Sequence, residues 1–176
     1  MRKVVLYIAM SLDGYIADEH GNVDWINGQD MNVENIDTYS AFVRDVDTVI
    51  MGWDTYHQII TKLSPTEWVY ANLTSYIITH RKLHSKNKIF FTEKAPFNLV
   101  KELKNKEGKG IWICGGANIV QQLVQTDLID EYYISVIPTV LGSGIRLFGT
   151  VPDEIKLKLI STQTYNGIVE LIYTRR

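Results

Sequence analysis

Two stretches of this chain place glycine where a strand gives way to a helix, and both could hold an anion. In the first, residues 111–114 are an apolar run of strand length, Gly115 and Gly116 follow, and Ile119, Val120, Leu123 and Val124 recur at helical spacing beyond them. Glycine has no Cβ, so a ligand can come close to the backbone there. The helix that follows begins with unpaired N–H groups and a partial positive charge, which suit a phosphate. The second stretch reads TVIMGWDTYHQII: Gly52 ends a strand, Asp54 and Thr55 open a helix, and Thr55 can cap that helix or turn its hydroxyl to a phosphate. Two helix N-termini could converge on one diphosphate, although no G-x-G-x-x-G fingerprint occurs. A glycine at such a junction serves equally well to change chain direction, so each junction alone leaves both readings open.

Other reactive side chains form no recognisable set. His80 and His84 have no third ligand near them in sequence, and His20 and His57 have no evident partner, so no metal site is expected. The single cysteine, Cys114, excludes an internal disulfide and reads as packing at the end of a buried strand. The H-x-E and P-C-x-x-C pattern of zinc deaminases is absent.

Composition bounds the rest. A chain of 176 residues with 45% hydrophobic and 22% charged residues suits one globular domain over residues 1–176 with a full core. A net charge of -2 favours neither nucleic acid nor an anionic membrane as a partner, and no apolar run is long enough to span a bilayer. The N-terminal stretch reads as a strand rather than a signal peptide, so a cytoplasmic location is expected. Residues 81–109 hold nine Lys/Arg against three acids, and a solvated helix face accounts for most of them.

The periodicities predict strands at 3–10, 47–51, 75–79, 88–91, 111–114 and 130–138. They predict helices at 33–43 (with Asn32 as N-cap), 54–61, 97–106 and 117–124. Residues 11–32 form a long connection, the kind that usually carries function. Residues 156–165 and 168–174 alternate about Asn166-Gly167, a strong hairpin signal. The expected fold is therefore α/β: a mixed, mostly parallel sheet with a C-terminal antiparallel hairpin and helices on both faces. The aromatic insert SPTEWVYAN has no assignable role in the sequence.

Four stretches in order, YIAMSLDGYIAD, DTVIMGWDTY, WICGGANIVQQLV and DEYYISVIPTVLGSGIRLFG, resemble the dihydrofolate reductase fold. They resemble more closely the reductase domain of riboflavin biosynthesis and the stand-alone proteins similar to it, and the match spans nearly the whole chain. The resemblance implies that Ala9 and Ile16 flank a nicotinamide and that the 18–24 loop closes over it. It implies that Thr55 contacts the cofactor diphosphate and that Gly52 and Trp53 belong to the same cofactor site, Trp53 where the family's arginine binds the 2′-phosphate. Gly115 and Gly116 would pack against the cofactor across a cis peptide, and Ala117 and Asn118 would offer N–H groups. Thr79 and Arg81 would hold the adenosine ribose and its phosphate. The implied cofactor is NADPH. NADH stays open because Trp53 stands where the family commonly has an arginine; tryptophan can stack on adenine but forms no salt bridge, and Arg81 or Lys82 would have to compensate.

On the substrate side, Asp30 falls where dihydrofolate reductases carry their pterin-binding acid. Glu34 and Asp37 are alternatives, and an acid completing a helix dipole is the plainer reading. Ser135 matches a hydroxyl near the substrate, and the LGSG turn at 141–144 is typical of the riboflavin branch. The expected activity is NAD(P)H-dependent hydride transfer to a small heterocyclic or aminopyrimidine-type substrate, with Asp30 and Ser135 as the catalytic candidates. A catalytically silent nucleotide-binding domain of the same fold and a true dihydrofolate reductase are the alternatives. An exposed strand edge would permit a homodimer.

Overall fold

In the computed structural model, which describes all 176 residues, the chain opens with β1 (Val4–Ser11) and a short β2 (Tyr15–Ala17). Next come α1 (Tyr39–Val43), β3 (Val46–Gly52) and α2 (Trp53–Gln58), which runs on through a π-turn at Ile59–Leu63. Then follow β4 (Thr74–Ile78), β5 (Ile89–Thr92), α3 (Pro96–Lys104), β6 (Gly110–Gly115) and α4 (Ala117–Gln125). The chain closes with β7 (Glu131–Ile137), a two-residue β8 (Ile145–Arg146), β9 (Leu157–Tyr165) and β10 (Ile168–Arg175).

Eight strands form one sheet in the order β5-β4-β3-β6-β1-β7-β10-β9. The six strands from β5 to β7 run parallel, and β10 and β9 add antiparallel at one edge. Strands buried on both faces have to be apolar at successive positions. In β3, Val49, Ile50 and Met51 are all fully buried. Ile50 faces α3 and α4 together with Val4 and Leu6 of β1. Val49 and Met51 face α1 and α2, where Phe42, Tyr56 and Trp112 pack. This is a dihydrofolate-reductase-like architecture, mostly parallel with a C-terminal antiparallel hairpin and helices on both faces. Asn166 and Gly167 turn that hairpin with φ of 46° and 76°, the double positive φ of a two-residue type I′ turn.

The structure corrects one predicted helix. Of residues 33–43 only Tyr39–Val43 is helical, and Asn32 caps nothing. Val33 and Ile36, counted as its apolar stripe, are each 49% exposed. The Asn166 side chain holds this stretch in a loop, because it takes the Asp30 N–H on Oδ1 and donates from Nδ2 to the Asp30 and Val33 carbonyls. Strands β2 and β8, hidden within the long connection and after the 141–144 turn, pair with each other.

The same corner joins two motifs far apart in sequence. Asp13 accepts the Ser11 hydroxyl at 2.6 Å and the N–H groups of Leu141 at 3.1 Å and Gly142 at 2.7 Å. The SLDG turn therefore clamps the LGSG turn. At Gly144, φ is 137° and a Cβ would lie 2.2 Å from the Ala17 carbonyl oxygen, so only glycine fits against β2. The Ser11 hydroxyl and the two backbone N–H groups hold the Asp13 carboxyl down at about 2, from an ordinary 3.8.

That depression has a pH consequence. The stabilisation from ionised Asp13 is fully present above its unfolded value of 3.8 and is lost as pH falls through about 2. Asp13→Asn is expected to lower the thermal midpoint at neutral pH, and the gap to the parent should narrow as pH falls through that window. Melting curves recorded across pH check this; equal midpoints at neutral pH would remove the clamp.

Candidate functional site

The C-terminal ends of β1, β3 and β6 open onto a cleft of about 1560 Å³. Pockets for one drug-sized ligand take roughly 300–1,000 Å³, so this cleft has room for an extended ligand. Its base is the meeting of two helix starts. Gly52 precedes α2 and Gly116 precedes α4, and neither helix has a side-chain cap. A Cβ on Gly52 would lie 4.0 Å from the Gly116 nitrogen, and a Cβ on Gly116 would lie 3.5 Å from Thr55 Oγ1. The Gly115–Gly116 peptide is cis. In α4 the first intrahelical donors are Ile119 and Val120, both bonding to the Gly116 carbonyl, which leaves the Ala117 and Asn118 N–H groups unpaired beside the cleft. Its first turn carries no acid, whereas α2 has Asp54, so α4 presents the less compensated positive end.

Gly52, Trp53, Thr55, Gly116, Ala117 and Asn118 all line the cleft. Ala9 and Ile16 line it on the β1–β2 side, and Thr79 and Arg81 at the far end beyond β4. Gly115 lies directly behind Gly116, with its Cβ position 3.6 Å from Ile8. The Arg81 guanidinium sits 4.6 Å above the Trp53 ring, which also stacks on His57. Lys82 is engaged by Glu93 at 2.7 Å, while Arg81 pairs with no carboxylate. Arg81 is thus the cation left over for an anion at this rim, and Trp53 holds it in place. The Thr79 hydroxyl accepts the Arg81 N–H at 3.1 Å and so shapes the same turn.

The 18–24 loop crosses the cleft mouth. The Asp18 carboxylate takes the N–H groups of His20 and Asn22, each at 2.8 Å, and these bonds hold its pKa below the usual range. Gln58 on α2 donates to the Gly21 carbonyl at 2.8 Å, tying the loop to the far wall. The aromatic insert lines the α1–α2 face: Trp68 and Tyr70 pack edge to face, and Tyr70 meets Trp112 at a centroid distance of 4.9 Å. Burial pushes the Cys114 thiol up to about 12, so it stays protonated at neutral pH and offers no thiolate nucleophile.

The substrate-side candidates fare differently. Asp30 is exposed and does not line the cleft; its carboxylate accepts the Asn32 N–H in its own turn. Asp37 caps Ser40 instead, and Glu34 is exposed. The helix expected from residue 33 is absent up to Thr38, and none of the three carboxylates lines the cleft. Ser135 lies on β7 between Ala9 and Glu170 in one cross-strand row. It donates to Glu170 Oε1 at 3.3 Å, and that oxygen also accepts Thr38 Oγ1 at 2.7 Å and the Tyr165 hydroxyl at 3.0 Å. Because the Thr38 proton goes to Glu170, the Tyr7 hydroxyl at 3.3 Å is the donor to Thr38. Of this cluster sequence reasoning named only Ser135; the signal it passed over was an acid, Glu170, interrupting the apolar strand VELIY.

Comparison with known proteins places this geometry. The family model of the RibD C-terminal domain matches residues 2–170. YwjB of Bacillus subtilis (strain 168), an uncharacterized protein, is 40% identical over 175 residues, which cover 99% of this chain and 98% of YwjB. A solved structure from Shewanella sp. PV-4, named for riboflavin biosynthesis, superposes with a TM-score of 0.84 at 27% identity over 99% of each chain. A dihydrofolate reductase from Enterococcus faecalis, solved with NADP(H), shares the fold at a TM-score of 0.66 and 13% identity, over 98% of this chain and 96% of that one.

The loop latch is open to test. Asn166→Gly keeps the turn backbone and removes the side chain, so hydrogen exchange is expected to speed up at the Asp30 amide with little change in thermal midpoint. Unchanged exchange there would show that the loop holds itself.

Proposed function

The chain belongs to the RibD C-terminal domain family, and on that premise we propose that it is an NAD(P)H-dependent reductase acting on a small nitrogen heterocycle of the aminopyrimidine type. The observation that carries this reading is the abutment of two uncapped helix starts at Gly52 and Gly116, inside a cleft large enough for a dinucleotide and a second ring. A side chain on Gly116 would fill the gap to Thr55, which is the space a diphosphate needs.

In this reading the Ala117 and Asn118 N–H groups and the Thr55 hydroxyl hold the diphosphate, and Ala9 and Ile16 bound the nicotinamide. When bound, such a cofactor supplies a hydride. The chain's own part is to orient the two rings and to keep water out beneath the 18–24 loop. Magnitudes show what else must contribute. Micromolar binding is about −8.2 kcal/mol, and a helix end contributes at most about 2 kcal/mol to a bound anion. The apolar walls and the Arg81–Trp53 pair supply the remainder. Arg81, free of any carboxylate and braced on Trp53, favours the 2′-phosphate of NADPH over the bare ribose of NADH.

Titration with each dinucleotide, read by tryptophan fluorescence, tests this. NADPH is expected to quench saturably and to bind more tightly than NADH. Gly116→Val should abolish binding of both with a native circular dichroism spectrum. Arg81→Leu should erase the preference, a change of about tenfold or more for one charge-assisted contact. Trp53→Arg should widen it by adding a second guanidinium. Absence of quenching by either dinucleotide would overturn the reading.

A further inference from the structure

A dinucleotide held on α2 and α4 leaves one built feature of the sheet without a role: the Glu170 carboxylate. Glu170 sits mid-strand on β10, in the row that runs from Ala9 through Ser135. Neighbouring strands are ~4.8 Å apart, so its Cα lies roughly 10 Å from that of Ala9. Tyr7, whose side of β1 borders the cleft, reaches Thr38 with its hydroxyl, and Thr38 in turn donates to the carboxylate. The carboxylate is not itself part of the cleft lining; it stands behind the Tyr7 wall, one Thr38 hydroxyl away.

Its two oxygens are treated unequally. Oε1 takes three hydroxyls, from Thr38, Ser135 and Tyr165. Oε2 takes no hydrogen bond from the protein, and no buried side-chain polar atom of the chain lacks a partner, so Oε2 is open to solvent. Hydroxyls from three different elements around one oxygen fix the carboxylate's rotation and leave the other oxygen's lone pairs to an incoming donor. The two acids that line the cleft, Asp54 and Glu93, lie on the cofactor side, and Glu93 is paired with Lys82. The cleft wall in front of Glu170 is the ring of Tyr7, with Tyr39 set edge-on to it, and planar rings suit a flat heterocycle.

We propose that Glu170 is the substrate-anchoring carboxylate of this site, its Oε2 accepting the ring N–H and amino N–H of an aminopyrimidine whose far side extends toward Ala9. The proposal rests on the reductase reading for its substrate class. It moves substrate recognition from the exposed 30–37 loop onto the C-terminal strand. The titratable groups facing Glu170 are Tyr7 on β1 and Tyr165 on β9, and burial raises both phenols, that of Tyr165 to about 12. They stay protonated through neutral pH and so add no charge of their own beside the carboxylate.

A 2,4-diaminopyrimidine titrated by calorimetry, from mildly acidic to mildly alkaline pH, is the test. The parent is expected to bind it and to weaken as the probe loses its ring proton. Glu170→Gln should cost about tenfold or more in affinity and flatten that pH profile, since an amide offers no charge. Glu170→Asp, which keeps the charge and withdraws it by one methylene, should weaken binding while retaining the profile. NADPH quenching should be the same in all three proteins. A parent that does not bind the probe, or a Glu170→Gln protein with unchanged affinity and profile, overturns the proposal. Glu170-dependent probe binding without any NADPH quenching would uphold the anchor and remove the cofactor reading instead.

Discussion

The close approach of Gly52 and Gly116 is the constraint on which the site depends. Two parallel strands, β3 and β6, are adjacent in the sheet, so the helices that follow them start side by side. A side chain at either glycine would enter the space between the two starts. With both glycines in place, backbone N–H groups that have no intrahelical partner face one volume. The apolar interior of β3 and β6 makes this approach rigid, because Ile50, Ile111 and Ile113 are fully buried and leave the strand ends nowhere to shift.

Around that fixed base, polar side chains set the rest of the cleft. Asp13 clamps the 141–144 turn and so positions β2, from which Ile16 faces the cleft. Gln58 ties the 18–24 loop to α2, and Asn166 holds the 29–35 stretch against the hairpin turn. Each is a side-chain-to-backbone bond between segments far apart in sequence. Such bonds are individually worth about 0.5–1.5 kcal/mol, enough to choose one loop arrangement among several and small enough to let a loop open for a ligand.

At the cleft rim a ring and a cation are paired. Tryptophan at position 53 cannot pair with a phosphate, yet its ring seats Arg81 from the strand-end turn two elements later. Lys82, the other cation considered for that role, is turned to Glu93. The choice between two neighbouring cations is a matter of geometry that composition could not decide.

What the sequence determined was whatever follows from local periodicity. The parallel strands read as apolar runs, the glycine junctions read as helix starts, and Asn166-Gly167 read as a tight hairpin. These signals come from residues whose neighbours in the chain are also their partners. The helix expected over 33–43 failed because Val33 and Ile36 have helical spacing but no core to face, and Asn166 captures the backbone there. Asp30, matched to the family's acid by its distance along a polar stretch with no periodicity, lies exposed in its own turn and off the cleft. Only the tertiary structure could bring Thr38, Ser135, Tyr165 and Glu170 onto one oxygen. They come from a loop and three strands, and a hydrogen bond such as that from Thr38 to Glu170, 132 residues apart in the chain, leaves no period in the sequence.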